Sequence, residues 1–179
     1  MSKKYCSAID NGFQINVNGF VKVCCAGNFP LGNIKDTPIK EIFSSKKFFE
    51  IKQSLDNNQT HSYCLKCDNY EKIAPSASLR TEFNNQFDTQ GHRQIKLADM
   101  RWSNVCNLSC RYCNAHDSTE WRKLLNMPID SAKKDYTESV FDYIEENKEH
   151  IEIVYLVGGE PLMQYQNERL LSILKPDTV

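Results

Sequence analysis

The chain has 179 residues, of which 40% are apolar and 25% charged, with a formal net charge of −1. This length is enough to bury a core in one domain or two small ones, and the balanced charge argues against a general nucleic-acid-binding protein. The longest apolar run, Ile153–Val157, is far shorter than the roughly 20 residues that a membrane helix needs, and the first residues lack the apolar segment of a secretory signal. We therefore expect a cytoplasmic protein with neither a membrane nor nucleic acid among its partners.

Residues 1–73 are predicted to form a small α+β unit that opens on a β-hairpin. Apolar and polar residues alternate on both sides of Asn18-Gly19, which is a strong turn signal. Pro38 at a first helical position predicts a short helix. Ser45 can cap a second helix, which would bury three apolar residues on one face: Phe48, Ile51 and Leu55.

The remainder of the chain changes pattern twice. Residues 74–94 contain no cysteine and are rich in Ser, Asn, Gln and Thr, which predicts a linker or a surface excursion. From Ile95 onward the order is strand, cysteine loop, helix, strand, helix. The second strand, IEIVYLV, is typical of a strand buried on both faces of a parallel sheet, and it stops at Gly158. This order predicts the beginning of an α/β fold with right-handed crossovers.

Three helices are predicted in this second half. Asp117 or Ser118 can cap the first, whose apolar face would consist of Trp121, Leu124 and Leu125. Asp130 begins a longer helix with apolar residues at helical spacing: Ala132, Tyr136, Val140, Tyr143 and Ile144. The third helix covers Glu168 to Leu174.

The unusual feature of the composition is its eight cysteines: Cys6, Cys24, Cys25, Cys64, Cys67, Cys106, Cys110 and Cys113. Thiols stay reduced in the cytoplasm, which argues against a disulfide framework. Five of the eight lie in C-x2-C or C-x3-C-x2-C patterns, a spacing that allows several thiolates to reach one metal centre. The spacing therefore predicts ligation of a metal or a metal cluster.

Cys106, Cys110 and Cys113 lie in the loop S-N-V-C-N-L-S-C-R-Y-C. Three thiolates can hold three irons of a cubane [4Fe–4S] cluster and leave the fourth iron open, whereas a structural zinc takes four protein ligands. His116 is a nearby residue that could supply a fourth ligand. With Tyr112 before the last cysteine, the loop resembles the defining motif of the radical S-adenosylmethionine (radical SAM) enzymes.

The sequence V-G-G-E-P after the second strand resembles the GGE motif of the same family, which binds the methionyl amino group of SAM. Glycines let backbone carbonyls approach a ligand, and a glutamate can accept strong hydrogen bonds from an ammonium group. Gly-Gly after a strand is ordinarily only a turn, but here it follows the next strand after the cysteine loop. The resemblance implies that Gly158, Gly159 and Glu160 bind SAM and that Tyr112 lies beside the adenine, with ordinary loop packing as the alternative for Tyr112.

The family resemblance also implies a reaction. The reduced cluster would cleave SAM to methionine and a 5′-deoxyadenosyl radical, which takes a hydrogen atom from a peptide or a small metabolite. An external electron donor such as flavodoxin or ferredoxin would be needed. The alternative is a non-catalytic iron–sulfur or zinc module used for electron transfer or binding.

The N-terminal cysteines resemble the start of SPASM and twitch modules, which hold auxiliary clusters in many radical SAM enzymes. The resemblance implies that Cys6, Cys24, Cys64 and Cys67 hold one auxiliary [4Fe–4S] cluster of twitch type, with Cys25 as a spare. A further cysteine of the full SPASM pattern is replaced by Ile73, and the module here precedes the radical SAM motif instead of following it. A four-cysteine zinc site and His61 as a substitute ligand remain alternatives.

The predicted fold is α/β: the start of a partial (β/α) radical SAM barrel preceded by a small α+β iron–sulfur module with a β-hairpin. The predicted divisions are an auxiliary cluster module over 1–73, a linker over 74–94 and the N-terminal part of a radical SAM core over 95–179. The last division has room for only two βα units at ~30 residues for each βαβ step. We therefore expect either a fragment of a longer protein or a second chain that completes the barrel.

Overall fold

A computed structural model describes residues 4–87, 92–129 and 137–174. The strands are β1 (Gly12–Ile15), β2 (Phe20–Lys22), β3 (Gly32–Asn33), β4 (Leu97–Arg101) and β5 (Ile153–Val157). The helices are α1 (Ala8–Asn11), α2 (Ile39–Ile42), α3 (Lys46–Asp56), α4 (Leu65–Glu71), α5 (Leu79–Gln86), α6 (Thr119–Leu124), α7 (Thr137–Asn147) and α8 (Tyr165–Ile173). Short 3₁₀ turns span Ser62–Cys64 and Pro161–Met163.

The strands form one five-stranded open sheet in the order β3-β2-β1-β4-β5. Strands β1, β4 and β5 run parallel, whereas β2 is antiparallel to β1 and β3 is antiparallel to β2. The N-terminal hairpin therefore extends the sheet of the second half of the chain. This architecture confirms the prediction of an α/β fold in which a small module precedes a partial β/α unit.

The predicted hairpin is present and turns at Asn18-Gly19. Gly19 has a φ of +82°, a conformation that glycine adopts readily, and its N–H donates to the Asn16 carbonyl at 2.8 Å. Across the turn, Ile15 pairs with Val21, and both side chains are buried. The alternation in the sequence therefore placed the correct residues inside.

One face of the sheet carries the core. The register aligns Phe13 of β1 with Ala98 of β4, and both are buried. The Phe13 ring meets Tyr143 of α7 edge to face, with 5.4 Å between ring centroids. Because side chains alternate along a strand, Gln14 and its partner Asp99 point to the opposite face. There Gln14 Nε2 donates to Asp99 Oδ2 at 2.7 Å, so the second face of the sheet carries a buried polar pair.

The stretch 74–94, expected as a linker or surface excursion, contains helix α5. Ser78 caps this helix by accepting a hydrogen bond from the Thr81 N–H at 3.2 Å, and Phe83 of the helix is buried. Asn84 accepts from the Ser7 N–H at 2.7 Å and donates to the Tyr5 carbonyl at 2.9 Å. Helix α5 thus fixes the backbone on both sides of Cys6.

The helices of the second half agree with the sequence in part. Ser118 caps α6 by accepting from the Trp121 N–H at 3.3 Å, as predicted. The predicted apolar face of α6 is wrong, because Leu124 and Leu125 are 58% and 55% exposed. Val140, Tyr143 and Ile144 of α7 are buried as predicted, whereas Asp130, Ala132 and Tyr136 lie outside the described residues.

Strand β5 is present but is not buried on both faces. It lies at the edge of the sheet in the described part of the chain, and its Tyr155 is 47% exposed. In residues 4–87, 92–129 and 137–174, no helix has both the length and the apolar content to cross a membrane.

Candidate cluster sites

The three-cysteine loop directly follows β4 and is held by the beginning of α6. The Cys106 N–H donates to Thr119 Oγ1 at 3.0 Å, and the same hydroxyl donates to the Cys106 carbonyl at 3.0 Å. Within the loop, the Cys113 N–H donates to the Cys110 carbonyl at 3.0 Å. That carbonyl also accepts from the Trp121 indole at 3.0 Å, so α6 anchors the loop at both ends.

All three cysteines are free thiols, with Cys106 buried and Cys110 and Cys113 half-buried. The Leu108 N–H donates to the Cys106 sulfur at 3.4 Å, an arrangement that also stabilises an iron-bound thiolate. Tyr112 is 92% exposed. Three free thiols on one loop with a backbone donor to sulfur are a donor set that fits a cluster with an open iron.

Histidine does not join this loop as a ligand in the structure. His116 is exposed, and its Nδ1 lies 2.9 Å from Asp117 Oδ1. Among the residues the structure describes, no three His, Cys, Asp or Glu side chains are grouped so that they could hold a single metal ion.

The turn after β5 packs directly on the beginning of the cysteine loop. The Gly159 N–H donates to the Ser103 carbonyl at 3.0 Å, and the Glu160 N–H donates to the Val105 carbonyl at 2.8 Å. A Cβ on Gly159 would lie 2.1 Å from the Val105 oxygen, and one on Gly158, whose φ is +124°, would lie 2.6 Å from the Ser103 oxygen. The glycines therefore admit the backbone of the cysteine loop, a role that the sequence analysis did not foresee.

Two buried amides that the sequence analysis missed connect these loops. Gln164 accepts from the Ser103 N–H at 3.2 Å and donates to the Glu160 carbonyl at 3.3 Å. Asn167 accepts from the Trp102 indole at 2.7 Å and donates to the Pro161 carbonyl at 2.7 Å. The available signal was the pair of amides three residues apart, Gln164 and Asn167, shortly after G-G-E-P.

The Glu160 side chain lies at the end of this turn. Its Oε1 accepts from the Leu162 N–H at 3.2 Å, and the residue is half-buried. The carboxylate is therefore oriented by the backbone while part of it still faces solvent.

Four of the five N-terminal cysteines lie around one cavity. Cys6, Cys24, Cys64 and Cys67 all line it, together with Tyr63, Leu79, Arg80 and Phe83. Cys25 is exposed and does not line the cavity. His61 does not line it either, because its Nδ1 accepts from the Tyr63 N–H at 3.1 Å. The donor set, four thiols lining one cavity, fits a cluster held by cysteine alone.

Burial favours the protonated form of three of these thiols, Cys6, Cys24 and Cys64. Burial and the neighbouring Cys25 and Cys64 raise the pKa of Cys24 to about 12. Burial likewise raises the pKa of Cys64 to about 11 and that of Cys6 well above its ordinary value. Ligation by these cysteines would therefore release protons as the thiolates form.

Tyr63 positions the two halves of this cavity. Its hydroxyl accepts from the Val23 N–H at 3.0 Å, and its carbonyl accepts from the Asn28 N–H at 3.0 Å. A Cβ on Gly27 would lie 2.3 Å from the Tyr63 ring, so the loop after Cys24 lies flat against the ring. The segment carrying Cys64 is thus joined to the segment carrying Cys24.

Replacing Tyr63 with phenylalanine is expected to destabilise the fold by about 1–3 kcal/mol, because the buried Val23 N–H loses its acceptor. Tyr70, which is 60% exposed, gives the matched control: Tyr70→Phe is expected to change stability by less than about 0.5 kcal/mol. Denaturant unfolding of the two variants measures the difference. Equal stabilities would contradict this role of the Tyr63 hydroxyl.

Two family models match the chain. Residues 6–68 match SPASM, an iron–sulfur cluster-binding domain, and residues 100–178 match the radical SAM superfamily. In the chain, the segment that matches the SPASM domain precedes the segment that matches the radical SAM superfamily. The family resemblance and the order of the two modules are confirmed. Comparison with curated proteins and with solved structures found no match.

The sheet places the N-terminal cysteines and the cysteines of the three-cysteine loop at opposite ends of β4. Gln14 pairs with both Lys22 and Asp99, so the chain that leaves β2 toward Cys24 runs toward the Leu97 end of β4. The radical SAM loop begins at the other end, after Arg101. The strand between these ends spans roughly 13 Å at about 3.3 Å per residue.

Proposed function

We propose that this chain is a radical SAM enzyme, or part of one, which reductively cleaves SAM at a [4Fe–4S] cluster held by Cys106, Cys110 and Cys113. The observation that carries the proposal is the contact between the G-G-E turn and the cysteine loop. Hydrogen bonds from Gly159 and Glu160 to the backbone of the loop make the two motifs one site. When bound, the cluster and SAM supply the one-electron chemistry that breaks a carbon–sulfur bond and activates a substrate C–H bond.

The residues around this loop have separate tasks in the proposal. The carboxylate of Glu160, held by the Leu162 N–H, accepts hydrogen bonds from the methionyl ammonium. Gly158 and Gly159 keep the turn against the loop, so that this carboxylate could bind the same SAM molecule as a cluster held by the three thiols. Tyr112, whose ring is exposed beside two of the cysteines, packs against the adenine.

The substrate would be a peptide or a small molecule, and the face of the sheet that carries Gln14 and Asp99 is the surface we propose for it. Asp99 and Gln14 form its centre, and Arg101 donates from Nε to Asp99 Oδ1 at 3.3 Å. A flavodoxin or ferredoxin would deliver the electron. A second chain, or a further segment of the same polypeptide, would complete the barrel around this face.

In the N-terminal module, we propose that Cys6, Cys24, Cys64 and Cys67 hold one auxiliary [4Fe–4S] cluster. The support is their shared cavity, from which Cys25 is excluded. The proposed divisions of the chain remain 1–73, 74–94 and 95–179, with the qualification that α5 of the middle segment packs beside Cys6.

The test is anaerobic reconstitution with iron and sulfide, followed by incubation with SAM and dithionite. The proposal predicts about eight irons per chain, as two cubane clusters, and formation of 5′-deoxyadenosine. Protein that takes up zinc but no iron would contradict it. Protein that holds iron at both sites but forms no 5′-deoxyadenosine would favour a role in electron transfer or binding.

A further inference from the structure

One side chain in the N-terminal cysteine cavity is a buried cation. Arg80 of α5 lines the cavity and is only 2% exposed. Its Nη1 donates to Glu71 Oε2 at 2.6 Å and its Nη2 donates to Asp68 Oδ1 at 2.9 Å. Its Nε is buried and has no hydrogen-bond partner among the described residues. A buried donor without a partner destabilises the fold. An acceptor for this N–H, which the described residues do not supply, would remove that cost.

The two carboxylates keep Arg80 charged. Burial alone would lower the pKa of Arg80, but the hydrogen bond with Asp68 and the charge of Glu71 outweigh it and raise that pKa. Lys4 contacts the same carboxylates, at 3.0 Å from Asp68 Oδ1 and 3.6 Å from Glu71 Oε2. The local carboxylates are therefore balanced by two cations.

Arg80 lies beside the cysteines, because it lines the same cavity as Cys6, Cys24, Cys64 and Cys67. A buried positive charge stabilises negative charge on neighbouring groups, since little water screens it. Arg80 is therefore placed to stabilise negative charge on the sulfurs of the cavity.

We propose that Arg80 is a positioning residue for the auxiliary cluster. It donates a hydrogen bond from Nε toward the ligating sulfurs of the cavity and stabilises the reduced state of the cluster. This inference rests on the proposed function, because it requires an iron–sulfur cluster on Cys6, Cys24, Cys64 and Cys67. Reduction adds one negative charge to the cluster, and a fixed cation in a medium of low dielectric favours that charge. Hydrogen bonds to cluster sulfurs act in the same direction.

The experiment is a redox titration of the auxiliary cluster in the full chain. The substitutions Cys106→Ala, Cys110→Ala and Cys113→Ala remove the other cluster, so that the electron paramagnetic resonance (EPR) signal of the reduced protein reports only the N-terminal site. At the midpoint potential of this parent protein, Arg80→Gln is expected to lower the ratio of reduced to oxidised cluster at least tenfold. For a one-electron couple this corresponds to about 59 mV.

Two further variants separate charge and hydrogen bonding from mere proximity. Lys66→Gln also removes one positive charge, at a position between Cys64 and Cys67 in the sequence. Because Lys66 is exposed and water screens its charge, the ratio of reduced to oxidised cluster should change less than about twofold in this variant. Arg80→Lys keeps the cation but loses the Nε donor, and its ratio should fall between those of the parent and Arg80→Gln. If Arg80→Gln does not fold, a parent-like ratio in Arg80→Lys overturns the proposal.

The outcomes distinguish this inference from the proposed function. Iron bound at the parent site with a ratio unchanged in Arg80→Gln would overturn the role of Arg80 alone. A parent protein that binds zinc or no metal at this site would overturn the auxiliary cluster, and the inference with it. Circular dichroism of each variant checks that the fold is retained.

Discussion

Replacing Gly159 with alanine is expected to abolish SAM cleavage while both clusters are still assembled. The new Cβ would lie 2.1 Å from the Val105 oxygen and 2.6 Å from the Asn104 carbonyl carbon, and both are backbone atoms that cannot rotate away. The turn would have to move off the cysteine loop and carry the carboxylate of Glu160 with it. A displacement of about 1 Å at a reacting centre can cost on the order of 100-fold in rate, and we expect at least that loss of 5′-deoxyadenosine formation.

Gly32→Ala is the matched control for this substitution. A Cβ on Gly32 would lie 2.9 Å from the Ile42 side chain, which can adjust, and neither residue belongs to the cysteine loop. We expect this variant to retain SAM cleavage within about threefold of the parent, since overpacking of this kind costs stability and leaves the site in place. Equal activities of Gly159→Ala and the parent would show that the turn and the loop do not act as one site.

The second large effect is expected from removing the three thiols of the loop. The variant with Cys106, Cys110 and Cys113 all replaced by alanine should lose about four irons per chain and all 5′-deoxyadenosine formation. Its N-terminal cluster should remain, because the cavity of Cys6 lies at the other end of β4. Iron analysis and a product assay under dithionite measure both quantities.

Cys25→Ala is the control for the loss of a thiol as such. Cys25 is exposed and does not line the cysteine cavity, so this variant should keep the full iron content and activity of the parent. A triple variant that still forms 5′-deoxyadenosine would contradict the assignment of the SAM-binding cluster to the loop. Loss of the N-terminal cluster in that variant would contradict the independence of the two sites.

Local patterns in the sequence predicted the elements that depend on neighbours along the chain. The turn at Gly19 follows from the left-handed conformation that glycine allows, and the cap at Ser118 follows from its hydroxyl acceptor. The alternation around the hairpin placed Ile15 and Val21 in the core. The four thiols that line one cavity are those that the family resemblance implies as ligands of an auxiliary cluster, and that ligand role stays a prediction.

The features that the sequence did not predict depend on contacts between distant segments. The parallel pairing of β1 with β4 joins residues more than eighty positions apart, and nothing local to Phe13 specifies Ala98 as its neighbour. Helix α5 was obscured by its polar composition, although its few apolar residues, such as Phe83, are buried. The roles of Gln164 and Gly159 become visible only when the G-G-E turn is seen against the cysteine loop.

The exposed face of α6 has a similar explanation. Leu124 and Leu125 have the spacing of a buried face, but in the described residues more than half of each side chain is exposed. Helical spacing identifies which side chains share a face, but it does not say what lies opposite that face.

The central claim is that the cysteine loop and the G-G-E turn form one SAM-binding cluster site. The most direct measurement is the EPR spectrum of the reduced, reconstituted chain with and without SAM, after subtraction of the spectrum of the triple alanine variant. The claim predicts that the remaining signal changes its g-values when SAM is added, and that Gly159→Ala abolishes this change while retaining the signal. A signal from the loop cluster that is indifferent to SAM in the parent protein would contradict it.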